Sequence, residues 1–190
     1  FAPVQISGVT DAVSLAVGAD HVCVLTSAGD PYCWGNNNHF QIIYDNGWGL
    51  ASNPPMRVWP EIANATSVAA GLHSTCAVLP DHQVRCWGKD SDASLDTDVW
   101  GSAPVVTAAG LSDAVAVTAS ADYPYYGHVC ALRITGDVSC FGVNNSGQLG
   151  DGTRATRNAF VDATAFSDAL QVVAGGNETC VILDDGGATC

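Results

Sequence analysis

The sequence predicts an all-β chain built as radially stacked blades, and three observations lead there. Eight cysteines stand at 23, 33, 76, 86, 130, 140, 180 and 190, four pairs each ten positions apart. The pairs recur at steps of 53, 54 and 50 residues, so the chain is four copies of a unit of about fifty residues. Composition is the third observation: two Glu, one Lys and one Met leave few good helix formers, while 20 Gly and abundant Val, Thr and Ser suit strands and turns.

Each unit reads as four short strands, with repeats at 1–54, 55–102, 103–157 and 158–190, the last truncated. An outer strand follows a proline or polar break, at Pro3–Ile6, Met56–Val58, Pro104–Val106 and Phe160–Val161. A second strand alternates apolar and small residues, as in Val13, Leu15 and Val17, or Leu170 and Val172. It starts beside a recurring Asp or Asn (Asp11, Asn64, Asp113, Asp168), and seven residues later stands Gly18, Gly71, Ser120 or Gly175. The third and fourth strands form a hairpin, His21–Leu25 and Tyr32–Gly35 in the first copy, around a turn at Ala28-Gly29. One register then places Cys23 opposite Cys33 and Leu25 opposite Pro31, with Cα atoms about 4.5–5.5 Å apart, within disulfide range. The third strands are apolar on both faces: Leu25, Val78, Leu132 and Ile182 on the cysteine side, Val24, Ala77, Ala131 and Val181 on the other. A sheet buried on both faces needs a neighbour on each side, which four-stranded propeller blades supply. A two-sheet sandwich ranks second, because it calls for cleaner polar alternation.

Within the copies, His-x-Cys-x-Leu precedes Cys33-Trp-Gly35, the second copy keeps Cys86-Trp-Gly88, and the third copy carries Cys140-Phe-Gly142 followed by Asn144-Asn-Ser-Gly-Gln-Leu-Gly-Asp-Gly-Thr153. This pattern resembles the RCC1 (regulator of chromosome condensation) repeat, in the cysteine-paired form of bacterial surface proteins, over essentially the whole chain. The first two copies depart from it after the glycine, with Asn36-Asn-Asn-His-Phe-Gln41 and Lys89-Asp-Ser-Asp-Ala-Ser94. The resemblance implies an RCC1-like β-propeller, four blades of four antiparallel strands, as part of a ring of about seven blades. The chain then reads as a portion of a longer protein. The alternative has Pro3–Ile6 completing the fourth blade of a closed four-bladed ring.

Charge narrows the partners. Six Lys and Arg against 19 Asp and Glu give a net charge of −13, which opposes a polyanion, so nucleic acid is excluded as a partner class. No apolar run is long enough for a membrane span. Eight cysteines in cross-strand pairs with none left over point to an oxidising location: extracellular, cell surface or periplasmic. Nine residues between paired cysteines is too wide for the usual zinc spacing.

The chain carries no phosphate-binding glycine loop, nucleophile elbow or zinc-protease motif, so the reading has no catalytic residues and the chain is not an enzyme. His21 and His128 share one repeat position, where the other copies have Ser74 and Glu178, and are read as hydrogen-bonded structural histidines. Asp90, Asp92, Asp96 and Asp98 place oxygens at alternate positions and are a candidate Ca²⁺ site against the plainer reading of a solvated acidic loop, the EF-hand pattern failing at Leu95 and Gly101.

The longest connections, 36–54, 89–102 and 143–157, and the insertion Ala121–Gly127 should emerge on one side of the disc. That side gathers Phe40, Trp48, Trp100, Tyr123, Tyr125 and Tyr126 as candidate partner-binding residues, with Trp48 and Trp100 equally readable as mini-cores of their own loops. Trp34, Trp87 and Phe141 recur at one position and are read as blade packing. The expected function is a non-enzymatic extracellular or cell-surface scaffold that binds a protein partner through the loop face. The alternatives are a structural subunit of an extracellular assembly or filament, and a carbohydrate-binding module or enzyme using the aromatic face.

Overall fold

The computed structural model describes residues 2–43, 52–88, 105–121 and 127–190, with 52–54 as backbone alone. The chain is an all-β propeller segment of four antiparallel sheets. The first sheet is β1 (Ala12–Val17), β2 (His21–Thr26), β3 (Pro31–Gly35) and β4 (Ser52–Arg57), hydrogen-bonded in that order. The second holds β5 (Ser67–Ala70), β6 (Ser74–Val78), β7 (Val84–Gly88) and β8 (Val106–Thr107), with a 3₁₀ turn at Pro60–Ile62 leading into it. The third holds β9 (Ala114–Ala119), β10 (His128–Arg133), β11 (Val138–Gly142) and β12 (Arg157–Asp162). The fourth has β13 (Ala169–Gly175), β14 (Glu178–Leu183) and β15 (Ala188–Thr189).

The hairpin register is the one the sequence implies: Cys23 faces Cys33 and Leu25 faces Pro31, with Cys76–Cys86 and Cys130–Cys140 paired alike. All four disulfides form, with Cα separations of 4.0–4.1 Å, and no cysteine is free.

Strand membership differs from the sequence reading in two ways. The outer strands close the preceding hairpin instead of opening the next unit: Met56 pairs with Cys33, Val106 with Cys86 and Val161 with Cys140. The chain leaves each hairpin and returns 15 to 18 residues later along that hairpin's free edge, the nearest unpaired row of backbone groups. It then crosses to the inner strand of the next blade. Consequently Pro3–Ile6 forms no strand, and the fourth sheet has three strands in place of four, β15 pairing with β14 alone. The four-bladed closure through Pro3–Ile6 is therefore absent from this structure.

Three cores lie between consecutive blades, each joining the cysteine face of one blade to the other face of the next. Cys23, Leu25 and Cys33 pack with Val68, Ala77 and Trp87. Cys76, Val78 and Cys86 pack with Val117, Ala131 and Phe141, and Cys130, Leu132 and Cys140 with Val172 and Val181. The disulfides are thus wall material of the cores as well as hairpin staples. Trp87 and Phe141 are buried, Phe141 meeting Phe160 edge-on at 4.7 Å. Trp34 is half-buried because no described blade covers its side.

Candidate docking face

The glycine after each Cys-Trp or Cys-Phe sends the chain out of the blade. Gly35, Gly88 and Gly142 have φ of 107°, 102° and 113°. A Cβ on any of them would stand 2.4–2.8 Å from backbone of the turn between the first two strands, at Asp20, His73 and Gly127. The outgoing loop and that turn are therefore held side by side, Asn36 N–H donating to the Asp20 carbonyl and Val143 N–H to that of Gly127. Where they are described, the outgoing segments and the turns share one side of the disc, as the topology requires.

Two of these loops have the same internal hydrogen bonding although their sequences differ. In the third copy Asn144 is buried, its Oδ1 accepting the Leu149 N–H at 3.1 Å, while Gln148 Oε1 accepts the Ser146 N–H at 2.9 Å. In the first copy Asn37 Oδ1 accepts the Ile42 N–H at 2.9 Å and Gln41 Oε1 the His39 N–H at 2.9 Å. Side-chain carbonyls replace missing backbone partners in both loops. Phe40 then falls where the third copy has Gly147. Both take positive φ, 58° and 89°, and both N–H groups donate back to the buried Asn carbonyl. For phenylalanine that backbone costs about 1–2 kcal/mol relative to its ordinary range. The strained residue is half-buried and lies beside His39, whose ring sits 4.0 Å from that of His73 on the next blade.

A buried relay ties each of these loops to the following blade. Thr75 and Thr179 donate their hydroxyl hydrogens to the Gln41 and Gln148 carbonyls at 2.6 and 2.8 Å. Having spent its one hydrogen, each threonine accepts from the histidine of the preceding blade, His21 Nε2 at 2.8 Å and His128 Nε2 at 2.7 Å. Both imidazoles therefore carry the proton on Nε2. On the other nitrogen the copies part. His128 Nδ1 accepts from Ser120 Oγ at 3.1 Å, whereas His21 Nδ1 has no partner because Gly18 stands in place of Ser120. Burial lowers both histidines to about 4. For His21, Asp20 opposes this and His73 adds to it; for His128, a hydrogen bond with the Glu178 backbone opposes it. The structural reading of His21 and His128 is thereby given its partners.

Asp151 organises the third loop. Its carboxylate accepts from Asn144 Nδ2 at 3.0 Å, the Thr153 N–H at 2.9 Å and Arg157 Nε at 2.8 Å. Desolvation would raise its pKa, but the hydrogen bonds from Thr153, Arg157 and Asn144 outweigh it and hold the group down at about 2.

Of the six aromatic residues read as partner-binding, Phe40 is in place on this face. Trp48, Trp100, Tyr123, Tyr125 and Tyr126 lie outside the described residues, as do Asp90, Asp92, Asp96 and Asp98 of the candidate Ca²⁺ site. Among the described residues no group of three or more His, Cys, Asp or Glu is placed to hold a metal ion, and no helix is long and apolar enough to cross a membrane. The sequence reading missed Thr75, Thr179, Asn37 and Gln41. A usable signal existed: the copies with His two residues before the first cysteine are each followed by a copy with Thr one residue before it.

Comparison with known proteins agrees with this architecture. The family described as "Regulator of chromosome condensation (RCC1) repeat" matches residues 12–41. "Regulator of chromosome condensation" of Drosophila melanogaster is 30% identical over 151 residues, covering 76% of this chain and 26% of that protein. The mitochondrial RCC1 domain-containing protein RUG3 of Arabidopsis thaliana is 26% identical over 186 residues, covering 92% of this chain and 40% of its own length. Prp20p of Saccharomyces cerevisiae, whose structure was reported with its binding to Gsp1p and histones, superposes with a TM-score of 0.70 at 21% identity, covering 89% of this chain and 43% of that one. Human WBSCR16 superposes at 0.57 and 17% identity, covering 91% and 58%. The chain thus spans about a quarter to two fifths of the length of these curated relatives.

Proposed function

We propose that this RCC1-like repeat protein is a non-enzymatic protein-interaction scaffold that acts in an oxidising compartment outside the cytoplasm and docks its partner on the loop face. The observation that carries the reading is the anchoring of that face. Two loops of different sequence are fixed in one conformation by buried Asn and Gln side chains and bolted to the next blade through Thr75 and Thr179. Rigid loops on a rigid frame reduce the ordering cost of binding. The strained Phe40 is the kind of residue such a frame can hold in place for contact. Binding of Gsp1p and histones by the yeast relative supports protein as the partner class, while the net charge of −13 and the four disulfides favour a different partner and a different compartment for this chain.

The test compares faces. A photo-crosslinking phenylalanine analogue at Asn38 or Asn145, both exposed on the loop side, should capture one partner from the envelope and secreted fractions of the source organism. The same probe at Ala28 or Asp185, exposed on the opposite turns, should not. Equal capture from both sides overturns the reading.

A second reading, as an assembly subunit, is favoured by one specific observation. Leu15 is 63% exposed, although its counterparts Val68, Val117 and Val172 are 6–7% exposed against the preceding blade; Val173 and Ile182 are bared on the cysteine side of the fourth blade. These are the two halves of the interface formed three times inside the chain. For the 190-residue chain, light scattering should show concentration-dependent association that Leu15→Lys weakens; a monomer at all concentrations removes this reading.

A further inference from the structure

In a chain with 19 acidic side chains, arginines find carboxylates easily. Arg57 pairs with Asp30, Arg85 with Asp81 at 3.1 Å, Arg133 with Asp113 at 3.0 Å and Arg157 with Asp151 at 2.7 Å. Arg154 does not: it makes no hydrogen bond or ion pair among the described residues, although Asp151 is three positions away. The reason is chemical. The oxygens of Asp151 are already taken by Asn144, Thr153 and Arg157, its side chain is 5% exposed, and it offers Arg154 nothing.

Arg154 stands instead at a shallow, largely solvent-open cleft of about 540 Å³. The glycine-rich loop reaches from the loop face down the outer rim, where a Cβ on Gly150 would crowd Ala163 and Phe166, and the cleft opens between this loop and the segment after β12. Its walls are unusually bare. Gly147, Gly150 and Gly152 contribute backbone alone, and Gly152 has no atom within 4 Å of where a Cβ would be. Ser146 and Thr164 add hydroxyls, and the Ser146 hydroxyl makes no hydrogen bond among the described residues. The Thr164 hydroxyl is turned to the Gly150 carbonyl at 3.4 Å, so the free donors at the mouth are the Ser146 hydroxyl and the Arg154 guanidinium, the one charge there, and it is positive.

We infer that this cleft holds a single carboxylate of a partner peptide, with the Arg154 guanidinium as its counter-charge and Ser146 as an added donor. A planar fork of N–H groups fits a carboxylate through two parallel hydrogen bonds. The rest of the molecule restricts the ligand further: a net charge of −13 repels a polyacid, so the fit is to one carboxylate on an otherwise uncharged segment. The proposal rests on the docking reading only in taking a protein as the source of that carboxylate.

The experiment titrates the ¹⁵N-labelled chain with the blocked tripeptide acetyl-Ala-Asp-Ala-amide and with its Asn analogue. The Asp peptide should shift the amide signals of Gly147, Gly152 and Arg154 saturably, and the Asn peptide should bind about tenfold more weakly or not at all, the loss of one charge-assisted pair. Arg154→Gln should abolish the difference between the peptides, and Arg154→Lys, which keeps the charge and loses the fork, should keep part of it. Arg154 is exposed, so neither variant threatens the fold. Equal shifts with both peptides, or selectivity surviving in Arg154→Gln, overturn the inference. Crosslinking confined to the loop face without carboxylate selectivity would sink this proposal alone; selectivity without face-specific crosslinking would sink the docking reading alone.

Discussion

Acidification from pH 7 to pH 4 is expected to remove about 3 kcal/mol of stability for each of His21 and His128, and so to unfold the chain or bring it close. Both side chains are buried, and burial lowers each from 6.5 to about 4. The sign follows from linkage. Above pH 6.5 both histidines are neutral folded and unfolded, and they contribute no pH dependence. Between 6.5 and 4 the unfolded chain takes up protons that the folded chain refuses, so stability falls by up to about 1.4 kcal/mol per pH unit for each group. Below 4 the folded imidazoles protonate as well and the loss levels off. Two such losses together approach the whole stability of an ordinary domain, about 5–15 kcal/mol. Asp151, held down at about 2, adds a separate loss in the same direction below its ordinary 3.8. Urea midpoints measured across pH 3–8 separate the two windows. His128→Gln, which can still donate to Thr179, should flatten roughly half of the upper one. A midpoint that does not move between pH 6.5 and 4 would show that the relay has been misread.

The same relay shows what the sequence could and could not convey. Everything local to a hairpin was legible. A ten-residue spacing around a turn admits one register, and Cys23 opposite Cys33 with Leu25 opposite Pro31 came out as the pleat dictates. The packing role of Trp87 and Phe141 was legible from recurrence, and so was the structural role of His128. Everything that depends on a return from a distance was hidden. Met56 joins the sheet of Cys33 across a long loop, and a short proline-containing strand has no periodicity to announce which neighbour it will pair with. The conformation of the first loop was hidden for a different reason. Glycines were the obvious pattern, yet the loop is shaped by Asn37 and Gln41, whose four-residue spacing matches Asn144 and Gln148, and Phe40 accepts a glycine's backbone to preserve it. The candidate cleft was equally invisible, since it arises from Arg154 having no partner, and an arginine's partners are set by which carboxylate oxygens are already occupied.

Removing the Cys76–Cys86 bond by the paired change Cys76→Ala and Cys86→Ala is expected to cost about 4 kcal/mol, against about 2 kcal/mol for Cys180→Ala with Cys190→Ala. Every bond closes a loop of the same length, ten residues apart in sequence, so the effect on the unfolded chain is equal, about 2–3 kcal/mol for each pair. The difference lies in the folded state. Cys76 and Cys86 are fully buried in the core between the second and third blades, where truncation leaves cavities lined by Val78, Val84 and Phe141. Cys190 is exposed and Cys180 half-buried, so truncation there leaves no closed void. Reduction should follow the same division. Under native conditions a mild thiol reductant followed by alkylation should label one pair quickly and the other six cysteines only at the rate of unfolding, which intact-mass measurement resolves. This ordering also bears on location. Four bonds of that size sum to the stability of the whole domain, so a chain kept reduced would be marginal at best, and protein taken directly from its source should carry no free thiol. Eight free thiols in folded, native protein would show that the cysteine faces hold together by packing alone, and the argument for an oxidising compartment would fall with that result.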